Sequence, residues 1–220
     1  MFRTITFIAV LSTALLAGCK TLPGPEEVTA DGLVRVASRA SGGVYRAPDA
    51  TFHQYQRIML EPPTIGFVGG WRKNHPEVSD SEVARIRTAA IRIFREEFTR
   101  DLVKHGTYQF ADSPAPDVLM VAPAVEDLDI PAPDAGGEAG NRTYTPGPVK
   151  MKVSGEIRDS MTGKLVGRVI CYQGDERYGN GELRMANRIS NEHEQRQAFA
   201  SWTLLLHEAL SVAKADRPRR

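Results

Sequence analysis

The sequence predicts an α+β fold: one domain with a mostly antiparallel sheet and two amphipathic helices packed on one face, in the order β-α-β-β-β-α. Three observations predict it. A capped apolar stripe runs from Ser79 to Gly106, an alternating hairpin spans Val149 to Tyr172, and a second apolar stripe follows near the C-terminus. Runs of period two that alternate with runs of period 3.6 fit strands and helices sharing one core.

The chain opens with one basic residue, Arg3, followed by an apolar run from Ile5 to Ala17 broken only by Thr6, Ser12 and Thr13. That run is shorter than the about 20 residues a membrane-crossing helix needs. A basic start, a short apolar centre and small residues at its end describe an export signal. The segment Leu16-Ala17-Gly18-Cys19 resembles the lipobox of bacterial lipoproteins. The resemblance implies cleavage after Gly18 and a diacylglyceryl group on the Cys19 sulfur, with Leu16, Ala17 and Gly18 recognised by the signal peptidase. Several acyl chains, each buried CH₂ contributing about 0.8 kcal/mol, make a lasting membrane anchor. Lys20 stands where an Asp would favour the inner membrane, which points to the outer membrane and a domain facing the periplasm.

Three regions are therefore expected: a signal at 1–18, a lipidated Cys19 with a flexible tether at 19–30, and one domain at 31–220. The tether reading rests on Pro23, Gly24 and Pro25 among polar residues. Loss of Arg3 with the signal leaves equal numbers of basic and acidic side chains, since the whole chain carries 28 Lys+Arg and 27 Asp+Glu. That balance gives no electrostatic footprint for nucleic acid. Beyond Cys19 the one remaining thiol is Cys171, in the apolar run Val169-Ile170-Cys171-Tyr172, which suits a small buried hydrophobe.

The first strand is expected at Gln56–Glu61, stopped by Pro62-Pro63, and Thr64–Val68 continues its line after a kink. Residues 69–76 read as loop. Ser79 and Glu82 have capping-box spacing. Val83, Ile86, Ala90, Ile93, Phe94, Phe98 and Leu102 then form one stripe, and Gly106 suits a left-handed stop. The other side carries Arg85, Arg92, Arg95, Glu96 and Arg100 and reads as solvated. Strands follow at Tyr108–Phe110 and Val118–Val125. Residues 130–148, rich in Pro and Gly, read as a mobile loop long enough to need a functional reason. In the hairpin, Asp159 to Gly163 supplies the turn chemistry. The last helix is expected to begin near Asn191 or Glu192, with Ala198, Trp202, Leu205, Ala209 and Val212 as its stripe.

Several chemistries fail on spacing. His207-Glu208 lacks a second His at position 211, where Ser stands, so it is no zinc-protease motif. The five His are scattered, and neither a metal nor a cofactor is implied. Thr162-Gly163-Lys164 lacks the earlier Gly and following hydroxyl of a phosphate loop. No catalytic constellation emerges. Among weaker candidates, Asp127 and Asp129 would share one face of a strand end, which reads first as solvated and second as a carboxylate pair. Trp71, beside Arg72 and Lys73, reads as an exposed recognition tip or as a residue folding back on the domain.

The order of short motifs resembles the DUF3313 family of bacterial lipoproteins. It rests on Asp31-Gly32-Leu33, then Val44-Tyr45-Arg46-Ala47-Pro48, then Tyr55 and Ile58-Met59-Leu60. Asp127-Leu128-Asp129, the Asp159-Ser160-x-Thr162-Gly163 turn, and Asn187, Asn191 and Trp202 complete it. The resemblance implies lipoprotein location and a single domain, with no activity to carry over. The expected role is a binding or structural module of the cell envelope, joined to the membrane by its lipid and serving an envelope protein or the cell wall. The alternative is an enzyme or small-ligand binder with a site near the loop, using Asp127, Asp129, Arg142 and Tyr144.

Overall fold

Alternation in the hairpin of residues 150–173 sets the frame. In the computed structural model, which describes residues 27–39, 42–106, 108–130, 143–145, 149–174 and 184–215, β8 (Lys150–Asp159) buries Met151, Val153 and Ile157 and leaves Lys152, Ser154 and Glu156 on the other face. Its partner β9 (Leu165–Gln173) buries Val166, Val169 and Cys171. Gly163 takes φ +71° in the turn. Asp159 closes that turn, its Oδ1 accepting from the Met161 and Thr162 amides and from the Thr162 hydroxyl.

The remaining strands extend this hairpin on both sides. They are β1 (Val34–Arg39), β2 (Gly42–Arg46), β3 (Arg57–Leu60), β4 (Thr64–Phe67), β5 (Gln109–Phe110) and β6 (Val118–Asp129). The sheet has eight strands in the order β1-β2-β9-β8-β6-β3-β5, with β4 also on β6. Every pair among β1, β2, β9, β8 and β6 is antiparallel. By contrast β3, β4 and β5 pair in parallel. Because β3 and β4 lie in turn against residues 118–121 and 124–128 of β6, they form one line broken at Pro62-Pro63. Parallel neighbours need a crossover, usually helical, and α2 (Asp80–His105) supplies it. The sheet thus remains mostly antiparallel, with a parallel margin the sequence reading lacked.

α2 begins and ends where its caps dictate. Ser79 Oγ accepts from the Glu82 amide, and Gly106, at φ 61°, lets its N–H reach Leu102 O. Its stripe of Ile86, Ala90, Ile93, Phe94, Phe98 and Leu102 is buried. α3 (Arg188–Ala215) begins earlier than its apolar stripe suggests. Asn187 and Ser190 cap each other, Asn187 Oδ1 accepting from the Ser190 amide and Ser190 Oγ from the Asn187 amide. Its buried stripe runs through Asn191, Gln195, Ala198, Phe199, Trp202, Leu206 and Leu210, whereas Val212, expected on it, is exposed.

The two helices share one face of the sheet and run parallel, since residue 94 meets 199 and 202 while residue 105 meets 207. Trp202 is fully buried and its Nε1–H donates to Val169 O at 3.2 Å. Gly155 is required beneath it, because a Cβ there would overlap the indole. Burial of one such side chain contributes at least about 2 kcal/mol.

The opposite face carries a smaller cluster of Leu33, Tyr45 and Ala47. Asp31 and Arg168 form an ion pair beside it. The Glu27 carbonyl accepts from the Arg35 amide. Five elements were not anticipated: the strands β1 and β2, the one-turn α1 (Trp71–Asn74), and the two-stranded ribbon of β7 (Thr143–Thr145) and β10 (Arg184–Ala186).

Candidate functional site

The polar face of α2 meets solvent at Arg92, Arg95, Glu96 and Arg100, as expected, and in addition lines a seam with α3. Glu82 accepts from Arg85 at 2.7 and 2.5 Å, and Arg85 stands 3.7 Å from Glu192 on α3. Glu192 pairs with Arg92 at 3.1 Å, Arg92 with Glu96 at 2.8 Å, and Glu96 with Arg196 at 2.9 Å. Arg196 then meets Glu97 at 2.5 Å, and Glu97 also accepts from Arg100. Carboxylate and guanidinium alternate along this ladder, so each charge has opposite neighbours. The guanidiniums of Arg92 and Arg196 hold the Glu96 carboxyl below its ordinary range. Glu97 is fully buried, the one side chain of the ladder with no exposure.

At the start of the seam the helices diverge around a cleft at the end of β6. Its apolar wall is Ile86 and Ile130, its rim Arg85 and Arg188, and its floor Asn191 and Gln195. Gln195 is 3% exposed, yet its Oε1 has no hydrogen-bond partner among the described residues. An unmet buried acceptor is costly, on the order of 1–3 kcal/mol. The cleft encloses about 10 Å³, the room of a single water. As bounded by the described residues, it has room for one small hydrogen-bond donor. Both ends of the stretch expected as a long loop are tied here. Ile130 O accepts from Trp71 Nε1 at 3.2 Å, and the Val149 amide donates to Glu194 on α3 at 2.6 Å.

This geometry separates the residues proposed from the sequence. Trp71 is not a surface tip: it is 2% exposed, stacked on Phe67 at 4.5 Å and pinned by its bond to Ile130. Asp127 and Asp129 do not form a pair on one side of a regular strand. Asp127 takes φ 52°, and the register against β8 shifts between Glu126 and Asp129. This bulge turns Leu128 into the core, while Glu126, on the open face, receives Lys152 at 2.8 Å and the Ser154 hydroxyl at 2.5 Å. Asp129 lies opposite Lys150. Neither Asp lines the cleft. Tyr144 lies in β7, opposite Met185 of β10, and Arg142 falls outside the described residues, as do Leu16, Ala17, Gly18 and Cys19. Cys171 is buried in the main core. Among the described residues no group of His, Cys, Asp and Glu is placed to hold a metal ion.

Sequence reasoning missed Asn191 and Gln195 as a pair. They stand four residues apart on one helix face, a spacing visible in the sequence but masked by the neighbouring charges.

The fold defines a single α+β domain with a sheet open on one side. The chain belongs to the family described as Protein of unknown function (DUF3313), whose profile matches residues 27–205. No curated protein matches it. Among solved structures, the PelC dodecamer from Paraburkholderia phytofirmans is similar at 12% identity and TM-score 0.38, covering 80% of this chain and 99% of that one. A protein from Caulobacter crescentus CB15 described as a lipoprotein shares 16% identity at TM-score 0.35, covering 58% and 85%. A neuraminyllactose-binding hemagglutinin homolog from Helicobacter pylori shares 10% identity at TM-score 0.32, covering 76% and 87%. Likeness of this degree extends to neither ligand nor assembly.

Proposed function

We propose that this chain is a lipid-anchored protein of the outer membrane, facing the periplasm, that works as a binding or structural module of the cell envelope. The observation that carries the reading is Leu16-Ala17-Gly18-Cys19 placed at the end of a short apolar run. Membership of its family supports it. No described helix is long and apolar enough to cross a membrane, so attachment would fall to the lipid on Cys19. The described polar clusters serve the fold: the Asp159 turn, the Asp31–Arg168 pair and the helix-seam ladder are all internally matched. Surface recognition of an envelope protein or of the cell wall is the role left to such a module.

Crosslinking in intact cells with several chemistries, followed by recovery of the lipidated chain, tests this. A reproducible envelope partner supports the proposal. Absence of any adduct at native abundance counts against it.

A second reading, a small-ligand site near residues 127–144, is favoured by one observation, the unmet Gln195 acceptor beside Ile130. It moves the site to the helix side of the sheet and away from Asp127 and Asp129. An Asp127→Ala chain with unchanged stability and phenotype removes that residue from the reading.

A further inference from the structure

At the far end of the helix seam His105 and His207 stack, their ring centroids 4.2 Å apart and their planes 25° apart. Asp101, one turn before His105, stands 3.3 Å from its Nε2. His105 is also the last residue of α2, where the partial negative charge of a helix end favours a cation. Beside the rings lies a second water-sized cavity, about 10 Å³, that Asp101, His207 and Tyr108 reach. Tyr108 is 4% exposed and its hydroxyl has no hydrogen-bond partner among the described residues. Lys214 lies 4.8 Å over the Tyr108 ring.

We propose that the stacked His105–His207 pair is a pH-sensitive clasp between the end of α2 and the middle of α3, closed while at most one imidazole is charged and released when both are. Asp101 and the helix end set negative charge beside the His105 ring. The second proton meets a cation stacked against its own ring. The charged and titratable groups around the pair are Asp101 and Lys104 on α2, Glu208 and Lys214 on α3, and Tyr108 beyond Gly106; Ile58 of β3 brings no charge. Burial first, and then His105, hold the His207 imidazole below its ordinary value, against the opposing pull of Asp101 and Glu208. Two groups this close titrate as a pair, in two steps.

The sign follows. An unfolded chain takes the second proton near the ordinary His value, while the folded chain takes it lower. Local stability is therefore full above roughly pH 6.5 and falls as the pH drops below it. The water-sized space and the unmatched Tyr108 hydroxyl leave slack beneath the rings, so opening breaks little packing. The Arg–Glu ladder holds the other half of the seam closed, with Arg92 and Arg196 keeping the Glu96 carboxyl below its ordinary range.

Hydrogen exchange read by mass spectrometry tests the clasp on the full-length chain in its membrane, at about pH 7.5 and about pH 5, corrected for intrinsic rates. Protection of residues 101–110 and 203–212 should fall by about threefold or more. Protection of residues 85–97 should change less than about twofold. His207→Gln should keep its protection at the lower pH, and His105→Gln, which removes the other charge, should do the same if the first variant folds poorly. Equal protection at both pH values, loss spread evenly along the seam, or variants that lose protection as the parent does would overturn the proposal.

Discussion

Glu97 is the place where the helix seam can be tested most sharply. Its carboxylate is fully buried and bonded to Arg196 at 2.5 Å and to Arg100, whose side chains remain 35% and 62% exposed. Each hydrogen bond to a charged group is worth about 1.5–3 kcal/mol. Two would suggest a loss of about 3–6 kcal/mol on removal, but two effects reduce it. Both guanidiniums can turn to water, and the desolvation cost of the carboxylate disappears with it. Glu97→Ala should therefore cost about 2–3 kcal/mol, much of it from the space left by the buried side chain. Glu97→Met fills that space without a charge and should cost less than about 1 kcal/mol. Urea unfolding followed by fluorescence suits the measurement, because both tryptophans, Trp71 and Trp202, are buried. In a heat scan the Ala variant should melt roughly 5–10 °C lower. A Met variant as damaged as the Ala variant would refute the reasoning, since the charge rather than the filled volume would then hold the seam.

Two further outcomes follow from local geometry. Asp159 is partly desolvated, yet bonds from the Thr162 side chain and amide and from Tyr55 hold its carboxyl below the ordinary range. A lowered folded value means stability that is complete above roughly pH 4 and is lost as the pH falls through the folded value. Asp159→Asn should flatten the acid limb of a stability–pH curve, and Asp159→Ala should cost about 2 kcal/mol at neutral pH. At the β6 bulge, Asp127→Gly should be neutral or stabilising by up to about 1 kcal/mol, because φ 52° suits glycine, and Asp127→Val should cost more than about 1 kcal/mol. Urea midpoints of the two variants read this directly.

How far the fold was legible depends on whether one segment carries its own reason. α2 does: Ser79, the stripe from Ile86 to Leu102 and Gly106 each act within a few residues, and each acts as expected. The β8–β9 hairpin does as well, through alternation and the Asp159 turn. The strands β1 and β2, at one end of the sheet, do not. Val36 is half exposed, and the pair is tied to the sheet through β9, far along the chain. Nor does the seam. Arg and Glu at helical spacing look alike whether they meet water or a parallel helix, and Glu192 and Arg196 lie some 100 residues from their partners. The bulge at Asp127 escaped for a related reason, since alternation in Glu126–Asp129 assumes the regular strand that Asp127 breaks.

The candidate site was less legible than the fold. The cleft borders the 130–148 stretch only at Ile130, and none of the residues proposed from the sequence lines it. Asn191 and Gln195 were hidden among charges, while the acidic Asp127 and Asp129 drew notice and face elsewhere. Trp71, flanked by cations, proves to be a core anchor because its indole finds Phe67 and the Ile130 carbonyl.

Membrane attachment through Cys19 is the claim on which the proposed role stands. Cells given labelled palmitate and then fractionated on a density gradient provide the most direct measurement, with Cys19→Ser alongside the parent chain. The parent should carry label, begin at residue 19 and sediment with the outer membrane, whereas the serine variant should be unlabelled and retain residues 1–18. A serine variant cut at the same bond and still held in the outer-membrane fraction would contradict the account.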